Sequence, residues 1–282
     1  MILFVDLDGT LWEHETLDVP AAQAIKQARA AGHLVYLCTG RSAGQLPEPV
    51  VAIGWDGIIT NGGGAARVGS RVIAEQVMTR AQVDYLTSLF AANNIPYLLE
   101  TDNGVFGSPE IIEMYDGYIR SRRAAQNAEL VARGEKPEPV PATTEASKFM
   151  PIAQANPDHI AKICFFSDDP NMYAEMFELL HNDFFLVPSS IPMPGGSTGE
   201  IAPLGVSKGT AIKAVLAELG LDQSQAVGIG DSHNDLEMFD ACGTAVAMGN
   251  AVPELLAQAD FITTAVLDGG VKAALHQLKL IP

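Results

Sequence analysis

Asp6 and Asp8 are the first residues of the sequence whose types and spacing suit chemistry. They follow an apolar run at residues 2–5 and precede Gly9. A run without polar alternation is typical of a strand buried on both faces of a parallel sheet. Residues two apart on an extended segment point to the same side, and Gly9 lets the backbone turn away. The pattern therefore places paired acids at the carboxyl end of a strand, where open α/β sheets bind ligands.

Such a pair suits phosphoryl chemistry. One carboxylate can attack phosphorus and form an aspartyl-phosphate, while its neighbour transfers protons. Two close carboxylates also suit Mg²⁺, which prefers one or two carboxylates together with phosphate oxygens. The alternative is an acidic turn that ends a strand and does nothing more, because short motifs recur by chance.

A second acidic pair, Asp231 and Asp235, follows the apolar run at residues 225–230. A helix that begins at this point would hold the two carboxylates one turn apart on one face. The sequence then gathers four acids at strand ends. The alternative is that acids near a helix N-terminus complement the helix dipole and have no further role.

Further candidates lie at other element ends. Lys208 opens a helix predicted over residues 207–219, where the helix dipole disfavours a cation; both a functional role and a surface position stay open. The predicted strand at residues 33–39 ends in Thr39, with Gly40 and Arg41 directly after it. The three glycines at residues 62–64 form either a phosphate cradle or, more often for such clusters, a tight turn.

The elements that position these residues alternate between strand and helix. Apolar runs at residues 33–39, 57–61, 225–230 and 244–248 read as strands, and residues 20–31 read as a helix. This rhythm predicts an α/β fold with a doubly wound, Rossmann-like parallel sheet. We predict a short extended excursion at residues 68–77.

The pattern of predicted strands and helices changes near Thr79, which can cap a helix. Strands are predicted at residues 96–100, 162–167 and 184–187, and helices at 109–133 and 171–181. We therefore predict an inserted α+β domain at residues 79–188, between core segments 1–78 and 189–282. Residues 200–203 are predicted as a short extended piece of the second core segment.

Composition narrows the function. The 282 residues suffice for one large domain or two ordinary ones, and the formal charge of −17 disfavours nucleic acid and anionic membranes as partners. An anionic substrate must then meet a local cation or a bound metal. Cys38, Cys164 and Cys242 form neither a disulfide nor a zinc pattern, and we expect reduced, buried thiols in a cytoplasmic protein. We expect neither a secretory signal nor a membrane span.

Four motifs in this order resemble the haloacid dehalogenase-like hydrolases. They are DLDGT at residues 6–10, TGR at 39–41, SKG at 207–209 and GDSHNDLEM at 230–238. The inserted domain resembles the type-2 cap of the Cof-type phosphatases. The resemblance covers essentially the whole chain, and it implies a phosphoric monoester hydrolase that requires Mg²⁺.

The resemblance also implies a role for each matching residue. Asp6 would be the nucleophile that carries the aspartyl-phosphate, and Asp8 would protonate the leaving oxygen and then activate water. Phosphate would be bound by Thr39, Gly40, Lys208 and Asn234. Mg²⁺ would be held by Asp6, Asp8 (through its backbone carbonyl), Asp231 and Asp235.

These roles predict a phosphatase that acts on a small phosphorylated metabolite, such as a sugar phosphate or a phosphorylated cofactor. An acid at Asp8 favours a phosphatase or a mutase over relatives that hydrolyse slowly, such as the P-type pumps. The alternative is a phosphotransferase of the phosphomannomutase kind. A sensor that binds a phosphorylated ligand without turnover is a third hypothesis, which the complete motifs oppose.

Substrate choice is expected to depend on the inserted domain. Arg120, Arg122 and Arg123 lie in the predicted helix at residues 109–133, and charge runs are most often solvated helix faces. The alternative is that one of them meets an anionic substrate, because guanidinium matches phosphate geometry. The loop at residues 189–196 is a further candidate. Residues 137–141 and the Pro- and Gly-rich stretch before Glu200 depart from the family pattern, so substrate identity does not transfer from better-known members.

Overall fold

A computed structural model describes residues 1–13, 16–137, 144–189 and 196–282. In chain order its strands are β1 (Ile2–Val5), β2 (Trp12–Glu13), β3 (Thr16–Leu17), β4 (Leu34–Cys38), β5 (Gly57–Thr60), β6 (Ala65–Val68), β7 (Arg71–Glu75), β8 (Tyr97–Thr101), β9 (Gly104–Gly107), β10 (Met150–Pro151), β11 (Lys162–Ser167), β12 (Phe184–Pro188), β13 (Ser197–Pro203), β14 (Ala226–Gly230), β15 (Thr244–Ala247) and β16 (Phe261–Ile262). Its α-helices are α1 (Val19–Ala30), α2 (Glu48–Val51), α3 (Arg80–Ala92), α4 (Pro109–Ala132), α5 (Met172–Leu180), α6 (Lys208–Leu219), α7 (Leu236–Ala241), α8 (Pro253–Gln258) and α9 (Gly270–Gln277).

The first sheet has eight strands in the order β16-β15-β14-β1-β4-β5-β6-β7. Every pairing from β16 to β5 is parallel, and β6 and β7 extend the sheet as an antiparallel hairpin. The strand that carries the first acidic motif, β1, therefore lies inside the sheet between β14 and β4. The predicted α/β fold with a doubly wound parallel sheet is confirmed.

Two hydrophobic cores cover the two faces of this sheet. In β1, Leu3 and Val5 belong to the core that includes residues of α1 and α9. Ile2 and Phe4 belong to the opposite core, with residues of α6 and α7. Because successive strand residues point to opposite faces, a strand covered on both sides must be apolar throughout. This is why the sequence of β1 shows no alternation.

The second sheet has six strands in the order β10-β9-β8-β11-β13-β12, and its pairings are antiparallel apart from the short β9–β10 pair. Helices α3 and α5 pack on one face, through residues such as Leu86 and Leu180. Helix α4 packs on the other face, through Ile111 and Tyr115. Thr79 caps α3 as predicted, by accepting a hydrogen bond from the backbone N–H of Gln82.

Three details of the sequence prediction are wrong. Residues 68–77 do not leave the first sheet, because most of them form the β6–β7 hairpin that extends it. Strand β9 was not predicted. Strand β13 pairs with β11 and β12, so the chain leaves the second sheet after Pro203 and not after residue 188. The Pro and Gly residues before β13 suggested a linker, although β13 itself is half-buried between two strands.

Two predicted loops lie largely outside the described residues. Most of the insertion at residues 137–141 and most of the substrate-loop candidate at residues 189–196 belong to segments that the structure does not describe. The three cysteines are buried and free. Among the described residues, no helix is long and apolar enough to span a membrane.

Candidate active site

The site lies where three neighbouring strands end. Strands β14, β1 and β4 are adjacent and parallel, so their carboxyl ends meet at one edge of the first sheet. Asp6 follows β1, Thr39 follows β4 and Asp231 follows β14. The backbone N–H of Asp6 continues the ladder by donating to the carbonyl of Ile229. The fold thus brings together residues that are far apart in the sequence.

A buried lysine links two of the acids. Lys208 Nζ donates to Asp6 Oδ1 at 2.6 Å and to Asp235 Oδ1 at 2.5 Å. All three residues are at least 96% buried, since Asp6 has 4%, Lys208 1% and Asp235 0% of its surface exposed. Although burial opposes its charge, the carboxylates of Asp235 and Asp6 hold the pKa of Lys208 above its usual range. The lysine at the start of α6 therefore faces the site and not the solvent.

Asp235 also organises the chain after β14. Its Oδ2 accepts hydrogen bonds from the backbone N–H groups of Asp231 and Ser232, both at 3.0 Å. The predicted helix start at Asp231 is wrong, because a 3-10 turn at His233–Asp235 comes first and α7 begins at Leu236. The two carboxylates do not lie side by side on a helix face. Asp235 instead turns back and fixes the backbone that carries Asp231.

Three carboxylates form a cluster that fits a metal. One oxygen from each of Asp6, Asp231 and Asp235 lies within 4.8 Å of the others. Burial, together with the charges of Asp6 and Asp235, raises the pKa of Asp231 to about 9. Burial likewise raises the pKa of Asp6 to about 7, although Lys208 opposes the shift. A bound cation would remove this repulsion, and clustered carboxylate oxygens are the donors that Mg²⁺ prefers.

The turn after Asp8 is shaped to admit Asp231. Gly9 has φ +79°, and a β-carbon there would lie 2.1 Å from Asp231 Oδ2. Thr10 Oγ1 donates to Asp231 Oδ1 at 3.2 Å, and Asn250 Nδ2 donates to the carbonyl of Gly9 at 2.8 Å. Glycine at position 9 is therefore required both by the backbone conformation and by the close approach of the carboxylate.

Asp8 lies outside the carboxylate cluster. Its two oxygens accept hydrogen bonds from Arg41, with Nε at 2.8 Å from Oδ2 and Nη2 at 2.6 Å from Oδ1. Arg41 belongs to the TGR motif, but the sequence prediction gave it no role. The resemblance placed Asp8 on the metal through its backbone carbonyl, and that role stays a prediction.

The predicted phosphate-binding residues surround the acids. Thr39 is fully buried, and its Oγ1 accepts a hydrogen bond from the backbone N–H of Arg41. A β-carbon at Gly40 would lie 3.4 Å from Asn234 Nδ2. Ser232 Oγ donates to Asn234 Oδ1, which leaves the amide N–H groups of Asn234 on the Gly40 side. Gly40 and Asn234 line the same pocket as Asp6 and Asp8, and phosphate binding by Thr39, Gly40 and Asn234 stays a prediction.

The glycines at residues 62–64 form a turn and not a cradle. Asn61–Gly63 forms a tight turn after β5 in which all three residues have a positive φ. Gly63 has φ +108°, and a β-carbon there would lie 2.0 Å from the backbone carbonyl of Ser207. The glycine allows this turn to pack directly against the start of α6. The turn therefore supports the position of Lys208.

A pocket of about 550 Å³ opens above the acids, between the two sheets. Its volume lies in the range of small-molecule sites. Of the predicted site residues, those that line it are Asp6, Asp8, Gly40, Asp231, Asn234, Arg122 and Arg123. Thr39, Lys208 and Asp235 lie buried beneath this surface.

The three arginines of α4 have different surroundings. Arg123 is buried and Arg122 is exposed, and both line the pocket. Arg120 pairs with Asp116 one turn earlier on α4, with Nε at 2.6 Å from Oδ2. The solvated-face interpretation therefore describes Arg120 better than Arg123.

The second sheet contributes polar pocket residues that the sequence prediction missed. Glu100, Lys162 and Glu200 line the pocket opposite the strand ends of the first sheet. The one signal in the sequence is that Lys162 is a charged residue directly before an apolar run, ICFF, in the strand KICFFS.

Comparison with known proteins places this geometry in a family. The sequence model of the haloacid dehalogenase-like hydrolase family matches residues 3–275 of the chain. The chain belongs to this family. The predicted resemblance is confirmed, and with it the assignment of the chain as a hydrolase of the phosphatase type.

Similar proteins support the same assignment. The chain is 28% identical to the 5-amino-6-(5-phospho-D-ribitylamino)uracil phosphatase YwtE of Bacillus subtilis, over 97% of this chain and 96% of that protein. It is 25% identical to the HMP-PP phosphatase of Citrobacter koseri, over 90% of this chain and 85% of that protein. Among solved structures, a haloacid dehalogenase-like hydrolase from B. subtilis has a TM-score of 0.81 at 21% identity, covering 98% of this chain and 99% of that chain. These relatives are phosphatases of small molecules, and the solved structure shares the fold.

Proposed function

We propose that the chain is a Mg²⁺-dependent phosphatase that hydrolyses a small phosphorylated metabolite through an aspartyl-phosphate on Asp6. The observation that carries the proposal is the contact of Lys208 Nζ with Asp6 Oδ1 at 2.6 Å, at the floor of a pocket that also contains Asp8 and Asp231. A nucleophilic carboxylate beside a fixed ammonium can receive an anionic phosphoryl group, even though the whole molecule carries a charge of −17.

In the first half-reaction, an Asp6 oxygen forms a bond to phosphorus as the ester P–O bond breaks. Asp8 gives its proton to the leaving oxygen, so a neutral alcohol departs. Arg41 holds the Asp8 side chain at the pocket wall, where both Asp8 and Asp6 are in reach of one substrate. Phosphoryl transfer depends mainly on such positioning and on neutralised charge.

In the second half-reaction, Asp8 takes a proton from water as the water oxygen bonds to phosphorus. The bond from phosphorus to Asp6 breaks, which releases phosphate and restores the carboxylate. Lys208 keeps its ammonium beside Asp6 throughout and balances the charge that returns to it. The same two acids thus serve both half-reactions, as general acid–base catalysis requires.

A divalent cation would be held by Asp6 and Asp231, with Asp235 in support, because these oxygens cluster within 4.8 Å. When bound, Mg²⁺ would supply positive charge to the phosphoryl oxygens. The second sheet and its helices would act as the cap that covers the pocket and selects the leaving group, because both sheets line the pocket.

The direct test is phosphate release from a panel of phosphorylated metabolites with Mg²⁺, with the Asp6→Asn variant beside the wild type. We expect turnover in the wild type, loss of turnover in the variant and loss of turnover in excess EDTA. Asp183→Asn is the matched control, because Asp183 is exposed and lies just before β12.

Two outcomes would replace the proposal. Isomerisation of a sugar phosphate that a sugar bisphosphate stimulates, without net phosphate release, would make the chain a mutase. Binding of phosphorylated ligands without turnover or isomerisation, by a folded protein with metal present, would make it a sensor. Activity that survives Asp6→Asn would exclude the aspartyl-phosphate route.

A further inference from the structure

The loop after β15 contacts both of the loops that follow β1 and β14. Strand β15 is parallel to β14 and lies beside it, so this loop, residues 248–252, leaves the same edge of the first sheet as the acidic loops. Asn250 Nδ2 donates to the carbonyl of Gly9 at 2.8 Å. The backbone N–H of Val252 donates to the carbonyl of Asp231 at 2.9 Å. One loop that contains no acid therefore holds the backbone on both sides of the carboxylate cluster.

This loop is itself attached to the chain that follows β16. The backbone N–H of Gly249 donates to the carbonyl of Thr264 at 3.1 Å, and a β-carbon at Gly249 would lie 2.9 Å from the backbone nitrogen of Ala265. Asn250 Oδ1 accepts a hydrogen bond from the backbone N–H of Val266 at 3.3 Å. The amide of Asn250 therefore donates to one loop and accepts from another. A side chain held at both ends transmits the position of one loop to the other.

The turn at Gly9 is the surface against which the Asp231 carboxylate lies. A β-carbon at Gly9 would lie 2.1 Å from Asp231 Oδ2, so the backbone and the carboxylate are in direct contact. Thr10 Oγ1 donates to the other oxygen, Asp231 Oδ1, at 3.2 Å. The same turn follows directly after Asp6 and Asp8 in the sequence. Its position therefore sets how far the Asp6 carboxylate lies from the Asp231 carboxylate.

Local hydrogen bonds shape this turn but do not fix its place in the sheet. The backbone N–H of Gly9 donates to the carbonyl of Trp12 at 2.9 Å, and that of Thr10 donates to the carbonyl of Leu7 at 3.2 Å. Both bonds join residues within the turn, so they move with it. The bond from Asn250 comes from a residue 241 positions later in the sequence. It therefore holds the turn against a different part of the sheet.

We propose that Asn250 is a positioning residue that sets the spacing between Asp6 and Asp231, and so prepares the carboxylate cluster for a divalent cation. This role rests on the proposed function, in which these acids hold the cation. Asn250 acts through the carbonyl of Gly9 and is not itself a ligand. Clustered carboxylates repel one another without a cation. A contact that keeps their loops together therefore increases the fraction of molecules that are ready to bind the cation.

The test is the Mg²⁺ affinity of Asn250→Ala, which removes both hydrogen bonds of the side chain. The apparent dissociation constant for Mg²⁺ is inversely proportional to the fraction of molecules in the binding arrangement, so it should rise about 3- to 10-fold when this hydrogen bond is lost. Thermal unfolding of the whole chain over a series of Mg²⁺ concentrations measures the constant. The rate of phosphate release should fall at low Mg²⁺ and recover to within about twofold of the wild type at saturating Mg²⁺.

Asn93→Ala is the matched control. Asn93 Nδ2 also donates to a backbone carbonyl at 2.8 Å, that of Leu89 near the end of α3, and Asn93 is exposed and does not line the pocket. This variant should keep the wild-type affinity for Mg²⁺, whatever its stability. Hydrogen exchange gives a second readout. The amide of Gly9 should exchange faster in Asn250→Ala than in the wild type without Mg²⁺, and it should regain its protection when Mg²⁺ is added.

Several results would overturn this role. Unchanged Mg²⁺ affinity in Asn250→Ala would leave Asn250 with a structural role only. A loss of rate that saturating Mg²⁺ does not restore would mean that Asn250 acts on the substrate and not through the carboxylate cluster. Equal exchange of the Gly9 amide in variant and wild type would show that other contacts hold the turn.

The failure of the proposed function is a separate result. If the wild type releases phosphate from no ester, the phosphatase proposal fails, but the Mg²⁺ series and the exchange experiment still decide the role of Asn250. If the Tm of the wild type does not respond to Mg²⁺, the metal-dependent function and the positioning role are both refuted.

Discussion

Arg41 donates two hydrogen bonds to the carboxylate of Asp8, one to each oxygen, at 2.8 and 2.6 Å. This pair joins the loop after β1 to the loop after β4. A fork of two parallel N–H groups fixes the plane of a carboxylate, which one ammonium cannot do. The proposed acid–base residue is therefore oriented by its neighbour in the TGR motif.

Arg41→Lys should lower kcat about 10- to 100-fold, because lysine keeps the positive charge but cannot donate two parallel hydrogen bonds to Asp8. This loss is a part of what general acid–base catalysis contributes to the rate. Steady-state kinetics on the best substrate of the panel provide the measurement. Arg80→Lys is the control, because Arg80 pairs with Asp84 on the exposed side of α3. An unchanged kcat in Arg41→Lys would show that Asp8 does not need this orientation.

Lys208→Met should lower the free energy of unfolding by about 3–5 kcal/mol in EDTA, because it leaves two buried carboxylates without their cation. Urea unfolding measures the loss. Adding Asp6→Asn to Lys208→Met should recover part of the lost stability, because Asp6 accepts a hydrogen bond from Lys208 at 2.6 Å. The stability changes of two substitutions at contacting residues do not simply add. Lys213→Met, on the exposed side of α6, is the matched control. Strict additivity of the two changes would contradict the coupling.

The acids at strand ends were predictable because their signal is local. An apolar run that stops at Asp6 or Asp231 already fixes which end of which element carries the carboxylate. Lys208 was identified for a similar local reason, since a cation at a helix start is unfavourable unless something offsets it. The structure supplies the two carboxylates that do so.

The polar residues that the second sheet contributes to the pocket were not predictable from the sequence. Glu100, Lys162 and Glu200 lie on three strands, and only the register of the second sheet brings them together. Each alone resembles an ordinary charge at a strand end. The place of Ser197–Pro203 was missed for the same reason, because strand pairing depends on distant partners. Arg41 was quoted within a motif, but its pairing with Asp8 required the adjacency of β1 and β4.

Gly9→Ala should abolish the Mg²⁺-dependent rise in Tm, because its β-carbon would meet Asp231 Oδ2 at 2.1 Å. Gly32→Ala is a matched control, since Gly32 also has a positive φ, +89°, but has open space around it. Both changes should cost about 1 kcal/mol or more of stability through the backbone strain. Only Gly9→Ala should lose the metal response, measured by thermal unfolding with and without Mg²⁺. An equal response in both variants would place the cation away from Asp231.

Asp56→Asn should lower stability by about 1 kcal/mol at neutral pH, since Asp56 is partly exposed. Its carboxylate accepts from Arg29 Nε at 2.9 Å and Nη2 at 2.8 Å, and from the backbone N–H of Val35 in β4 at 2.8 Å. Burial opposes the charge, but these hydrogen bonds hold the pKa of Asp56 below its usual 3.8.

The pH dependence has a defined sign. A depressed pKa gives stability that is present above the unfolded value of 3.8 and is lost as the pH falls through the folded value. The difference between wild type and Asp56→Asn should therefore be constant at neutral pH and should shrink below about pH 4. Urea unfolding at pH 7 and pH 3 measures it. A difference that grows on acidification would contradict the ion pair.

Asp102 joins the two sheets. It lies in the turn between β8 and β9 of the second sheet, and its Oδ2 accepts from Arg67 Nη2 of the first sheet at 2.8 Å. Its Oδ1 accepts from Thr60 Oγ1 at 3.2 Å and from the backbone N–H of Ala43 at 3.3 Å. A β-carbon at Gly44 would lie 2.8 Å from the carbonyl oxygen of Asn103, so the turn packs closely on the loop that follows Arg41.

Asp102→Ala should therefore loosen the contact between the sheets beside the pocket. The amide of Ala43 loses its acceptor, so its hydrogen exchange should be faster by about tenfold or more, because a hydrogen bond to a charged group stabilises by about 1.5–3 kcal/mol. The expected kinetic effect is a higher KM, since a cap that opens more often holds substrate less well. Asp84→Ala, on the exposed side of α3, is the control. Unchanged exchange at Ala43 would show that the sheets are held together by other contacts.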